Sequence, residues 1–349
     1  MADGRSEFLE NQPTMTRRRS AWTVFLLLMG IAALSICHLL FGSVAVPWRG
    51  VVDTLQGGHG LHATIIKSIR GPRVLTAAGA GGGLALTGLL MQTFFRNPLA
   101  GPSVLGVTSG ASMGVALFVL GGHWLGGAMG LSGLMTSAIA GSMGILAVIL
   151  AVAARHGGVV KLLVFGLMLS YAVGALVTVM QAEARASALQ EFVFWGMGTF
   201  GNGSATAGAG LLLGACILGV LASGQTRALD AWTLGARTAE SMGIDARPLR
   251  WGLLGVTGLL TGVTTAICGP VAFLGLAAPH VVRLLHHGRS HRTLVPLTLL
   301  TGALLGLAAD LIVRAPWAED GGGWPLNAVL SLMGAPMVLY VLMKRTWHD

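Results

Sequence analysis

Residues 70–110 read RGPRVLTAAGAGGGLALTGLLMQTFFRNPLAGPSVLGVTSG. From 74 to 95 the run is apolar, with basic residues on either side of it. About 20 such residues cross the roughly 30 Å of bilayer hydrocarbon, so this run reads as a membrane helix. Gly79, Gly81, Gly82 and Gly83 sit inside it. No strand precedes them and no GxxxxGK[ST] pattern is present, so they are not a phosphate loop. They read instead as small residues that let neighbouring backbones approach closely. Asn97-Pro98 and Gly101-Pro102 then break the helix, because proline cannot donate a backbone hydrogen bond and clashes with the preceding turn. A second apolar run follows at 103–121.

Working outward, further apolar stretches lie at 21–42, 128–154, 159–180, 205–223, 251–268, 270–285, 294–313 and 326–343. The expectation is an all-α, polytopic membrane protein of about ten spans. Composition agrees. Of 349 residues, 54% are hydrophobic and 10% charged, with a mean hydropathy of +0.74. A soluble domain carries about 25% charge, so lipid must cover much of this surface. Gly110/Gly114, Gly126/Gly130 and Gly302/Gly306 repeat the small-residue packing pattern. The run from Ala21 is too long for a signal-peptide core and reads as the first span. Residues 1–20 form a polar cytoplasmic tail and 21–346 the membrane domain.

The net charge is +9, but the basic residues do not form one patch, which argues against nucleic acid. They fall in short clusters between spans. Ten spans with a cytoplasmic N-terminus place most of them inside, as the positive-inside rule requires, and put both termini in the cytoplasm. Arg49, Lys67, Arg70, Arg73, Arg185 and Arg314 then lie outside as exceptions. Cys37, Cys216 and Cys268 lie in separate apolar stretches and read as small core residues. His280, His286, His287 and His291 cluster near one span end without acidic or thiolate company, so no metal site is expected. Asp310 is the one acid well inside a span. Arg314, four residues on, can pair with it; a functional ionisable group and a structural ion pair both fit.

A weak repeat is visible. Arg70-Gly71-Pro72-Arg73 and Arg247-Pro248-Leu249-Arg250 each open an apolar run. Those runs lead to Gly101-Pro102-Ser103-Val104-Leu105-Gly106 and Gly269-Pro270-Val271-Ala272-Phe273-Leu274-Gly275. With the runs pointing oppositely, this is the pattern of an inverted repeat; chance similarity in Gly/Leu-rich sequence is the other reading.

The RxPR, MQ, NPLA and LGV elements of 70–110 resemble the FecCD-type permeases of ABC importers. So do GPVAFLGLAAPHVVRLL, Ser290-His291-Arg292, GLAADLIVR and PLNAVLSLMGAPMVLYVLMKR in the second half. The resemblance covers nearly the whole chain after the tail. It implies a type II importer permease of ten helices that works as a homodimer, or pairs with a related permease, in the cell inner membrane. Separate ATPase subunits, which bind ATP and Mg, would dock inside, and a substrate-binding protein outside. The chain itself would be no enzyme and would hold no cofactor. The cargo implied is a ferric siderophore, haem or cobalamin. Arg70, Arg73 and Arg314 match positions that receive acidic residues of the binding protein, with snorkelling to headgroups as the rival role. Asn97 and Leu99 match a cytoplasmic gate, and Gly158 and Val159 stand where the family has a polar second gate element. The segment 224–250 matches the coupling region, with Leu234, Gly235, Ala239, Met242 and Gly243 as the small and apolar contacts. The alternative function is a secondary transporter driven by an ion gradient, for which Asp310 is the only plausible ion site.

Overall fold

The computed structural model describes residues 3–42, 44–121, 131–155, 158–286, 290–314 and 323–345. Gly126, Gly130 and His287 lie outside them. Among the described residues every regular element is helical. In chain order these are α1 (Asp3–Leu40), α2 (Trp48–Leu55), α3 (Leu61–Ile65), α4 (Gly71–Phe95), α5 (Val107–Val119), α6 (Leu131–Arg155), α7 (Val159–Ala182) and α8 (Ala186–Met197). There follow α9 (Ala205–Gly224), α10 (Thr226–Thr233), α11 (Ala236–Ser241), α12 (Ala246–Cys268), α13 (Leu274–Leu285), α14 (His291–Val313) and α15 (Leu326–Arg345). A π-helical turn at Ile66–Arg70 joins α3 to α4, and a 3₁₀ turn at Pro102–Leu105 precedes α5.

Seven helical stretches are long and apolar enough to cross a bilayer, and three shorter apolar helices accompany them. That matches the expected count of about ten among the described residues. The shorter ones are α5, α13 and part of α15. α5 and α13 were expected to span alone, but the breaks at Gly101-Pro102 and Gly269-Pro270 consume part of their length.

α4 is the central post. It packs against α9, α12, α13 and α14 and is almost wholly buried, whereas little of the apolar part of α1 is buried. Its glycines are the reason it can be central. A Cβ at Gly81 would lie 2.3 Å from the Gly302 carbonyl oxygen, and one at Gly302 would lie 2.2 Å from Ala85 Cβ. Only bare backbone permits α4 and α14 to touch there. Gly88 is tighter still, with a Cβ position 1.8 Å from the Gly275 carbonyl oxygen.

The two proline breaks have the same outline, a long helix, an irregular linker and a short helix. α4 ends on Arg96 at φ 49°, and α13 starts after Phe273 at φ 64°, the two non-glycine residues with positive φ among those described. Such conformations are uncommon outside glycine. The breaks also meet: a Cβ at Gly275 would lie 2.5 Å from Pro102 Cδ.

Candidate functional site

Three polar constellations sit on this apolar frame, at the two ends of the α4–α14 pair and at the linker after α4. The first surrounds Asp310, in the last turn of α14 and fully buried. A carboxylate in such a place must be paired and hydrogen-bonded. Arg73, in the first turn of α4, supplies this side-on. Its Nε donates to Oδ1 at 3.0 Å and Oδ2 at 2.9 Å, and its Nη2 to Oδ1 at 2.8 Å. Arg314 Nε lies 3.4 Å from Oδ2. His38 of α1 donates from Nε2 to the Leu307 carbonyl at 3.0 Å. That leaves Nδ1 as an acceptor, and Arg314 donates to it. One acid is thus shared by two guanidiniums whose side chains remain 18% and 15% exposed.

Arg70 departs from expectation. Expected to face an outside partner, it is only 4% exposed. Its guanidinium donates to the Leu39 carbonyl at 2.5 Å and to that of Val44. The last carbonyls of a helix lack intrahelical partners, and Arg70 satisfies one at the end of α1. Gly42 leaves room for it, since a Cβ there would lie 2.9 Å from Nη2.

The second constellation lies at the opposite end of the pair. Asp230 of α10 accepts from the Ser290 hydroxyl at 2.9 Å, the His291 backbone N–H at 2.8 Å and His291 Nδ1 at 2.6 Å. His291 Nε2 is 2.7 Å from the Thr93 hydroxyl of α4. Asp230 therefore caps α14 from outside the helix. Burial pushes its carboxyl up, but the hydrogen bonds from His291 and Ser290 outweigh that and hold it below the usual range. Trp232, on the same short helix, stacks on Phe94 with ring centres 5.8 Å apart. Its Nε1 donates to the Phe94 carbonyl at 3.1 Å.

The residues expected to contact an ATPase follow this segment. Leu234 is 65% and Met242 61% exposed. Gly235 at φ 122° and Gly243 at φ 82° make the turns on either side of α11, conformations that glycine adopts without strain. Ala239, expected on the contact face, is buried instead. A six-residue helix lying on the bundle must bury one side, and the small Ala239 is on that side. α10 itself was not anticipated.

At the linker after α4, Asn97 Oδ1 accepts from the Leu99 N–H at 2.9 Å, forming a local turn. His280 of α13 donates from Nε2 to the Pro98 carbonyl at 3.0 Å, and Leu99 is exposed. Arg283 donates to Gln92 Oε1 at 2.6 Å, so α13 holds both sides of the break. The matching linker before α13 is held by Asn327, which accepts from the Ala272 N–H at 3.0 Å and donates to the Pro270 carbonyl at 2.6 Å. Gly158 caps α7 with backbone alone, the first α7 hydrogen bond running from Leu162 N–H to its carbonyl. Among the described residues no group of three His, Cys, Asp or Glu side chains could hold a metal ion. His280 and His291 are engaged at different places.

Residues 27–344 match the model of the FecCD transport family. The hemin transport system permease protein HmuU of Yersinia pestis is 33% identical over 92% of this chain and 94% of its own. The vitamin B12 import system permease protein BtuC of Salmonella paratyphi A is 33% identical over 94% of this chain and 96% of its own. A solved structure described as an inward-facing conformation of a metal-chelate type ABC transporter superposes with a TM-score of 0.80 at 30% identity. That match covers 92% of this chain and 98% of the other.

Proposed function

The chain belongs to the FecCD transport family, and on that premise we propose that it is the membrane permease of an ATP-driven importer in the cell inner membrane. Its cargo is an iron complex, haem or a ferric siderophore, or cobalamin. The observation that carries the reading is the segment 226–245. It presents Leu234 and Met242 to the surroundings while Asp230 and Trp232 bolt it to α14 and α4. An ordinary loop needs no such anchorage; a surface that must pass force from an ATPase to the spans does.

Two copies enclose one pathway, with both termini in the cytoplasm, and Asn97 and Leu99 gate its inner end. ATP and Mg bind to the partner ATPase. A binding protein docks outside on Arg73 and Arg314, whose guanidiniums suit carboxylate capture and are partly exposed. Arg70 supports that rim by holding the end of α1 rather than by direct contact. Exposed ion pairs give about 0–1 kcal/mol each, so they set orientation and encounter rate.

The test is uptake of hemin and cobalamin by vesicles holding this chain, its ATPase and its binding protein. ATP-dependent uptake is expected to stop with a hydrolysis-dead ATPase. Uptake that persists would overturn the reading in favour of a gradient-driven transporter. Asp310 gives that rival little support, because its oxygens are already held by Arg73.

A further inference from the structure

Beside the anchored segment lies a groove that none of these roles uses. It is shallow and open, with a volume of about 80 Å³. Leu90 of α4 and Leu229 of α10 are buried at its base. Leu218 and Leu221 of α9 form one wall, and Leu253 and Val256 of α12 the other. Gln225, at the end of α9, is the single polar side chain lining it among the described residues. Gly252 leaves a gap in the α12 wall: a Cβ there would meet no atom within 4 Å.

The surroundings identify the occupant. Leu221 in the wall is half exposed, and Val220 and Leu259 nearby are exposed as well. In a chain that spans a bilayer, such a face is bathed in hydrocarbon. The mouth is at headgroup depth, because Gln225 ends α9 and Trp251 lies beside Gly252 near the start of α12. Tryptophan favours that level of the membrane. From Gln225 the groove reaches down to Leu218, seven residues or about 10 Å along α9. An apolar slot with one amide at headgroup depth matches a chain with a polar end.

We propose that this groove binds one acyl chain of a membrane phospholipid, its head beside Gln225, in the leaflet that carries α10 and α11. The chain packs on Leu229 and so braces α10, which carries Asp230 and Trp232, from the lipid side. The proposal goes beyond the importer reading. It requires only that the helices span a bilayer, and its test involves neither ATPase nor cargo.

The full chain would be placed in nanodiscs containing phosphatidylglycerol with a diazirine on one acyl chain, irradiated, and mapped by peptide mass spectrometry. Adducts are expected to concentrate on residues 218–221 and 252–256 over the exposed apolar stretch at Leu176 and Val179. Gly252→Phe fills the gap and should abolish groove labelling while leaving labelling at 176–179 unchanged; Gly252→Ala should keep it. If Gly252→Phe does not fold, Leu221→Gln at the half-exposed wall should lower groove labelling several-fold. Even labelling of all apolar faces, or groove labelling that survives both substitutions, would overturn the proposal.

Discussion

At one end of the α4–α14 pair a carboxylate inside the helix bundle holds two arginines; at the other, a carboxylate from outside the pair holds a helix start. Asp310 is fully buried and meets full positive charges. Asp230 is 38% exposed at its side chain and meets a backbone N–H, a hydroxyl and an imidazole. The first junction has charge left over, one acid against two guanidiniums, with the excess facing the surface. The second has none to offer and is a clasp. The same two helices are therefore finished as a charged rim at one end and as a joint to the short helix α10 at the other.

The comparison makes graded predictions. Asp310→Ala is expected to cost the most, about 3–5 kcal/mol, the usual loss when one partner of a buried pair is removed. Unfolding of the detergent-solubilised protein would measure it. A smaller loss than for Asp230→Ala would invert the ranking of the two junctions. Next comes Gly302→Val between them. Its side chain would meet Ala85 and the Gly81 backbone, so about 1–3 kcal/mol of overpacking is expected in the same unfolding measurement.

Asp230→Ala should cost about 0.5–2 kcal/mol, the range for losing a helix cap. This junction also has a pH signature. The Asp230 carboxyl is held below its ordinary 3.8 in the folded protein, so its contribution is complete above the unfolded value. It is lost as pH falls through the lower folded value. The stability gap between wild type and Asp230→Asn should therefore start to narrow as pH falls below the unfolded value of 3.8 and vanish once the folded carboxyl protonates; a gap that does not change with pH would remove the carboxylate's role. Smallest in stability is the double change Leu234→Ser with Met242→Ser. Exposed sites usually stay within about 0.5 kcal/mol, yet stimulation of the partner ATPase by loaded binding protein should fall sharply. Unimpaired stimulation would move the contact surface elsewhere.

The spans and their breaks were legible in the sequence because they are local. Twenty apolar residues, Asn97-Pro98 and Gly269-Pro270 each act on their own neighbourhood. The charged junctions were only half legible. The spacing rule along one helix finds Arg314 near Asp310, but Arg73 is 237 residues away in sequence and makes the closer contact. Nothing local distinguishes Arg70, which turns inward to the Leu39 carbonyl, from Arg73, which takes Asp310. His291 reads as one of a histidine cluster and Asp230 carries no local signal, because their pairing exists only once α10 is folded against α14. Ala239 was misplaced for a related reason: pattern shows that a short helix is amphiphilic but not which side the bundle takes.

Trp232 ties α10 to the Phe94 carbonyl in the last turn of α4, and α4 runs unbroken from there back to Arg73. Twenty-five helical residues make a rod of about 37 Å. Its backbone hydrogen bonds make it stiff along its axis. A push on Trp232 therefore needs no relay of side chains to be felt at the far surface. It arrives as displacement of a single post, and the guanidinium at the other end moves with it.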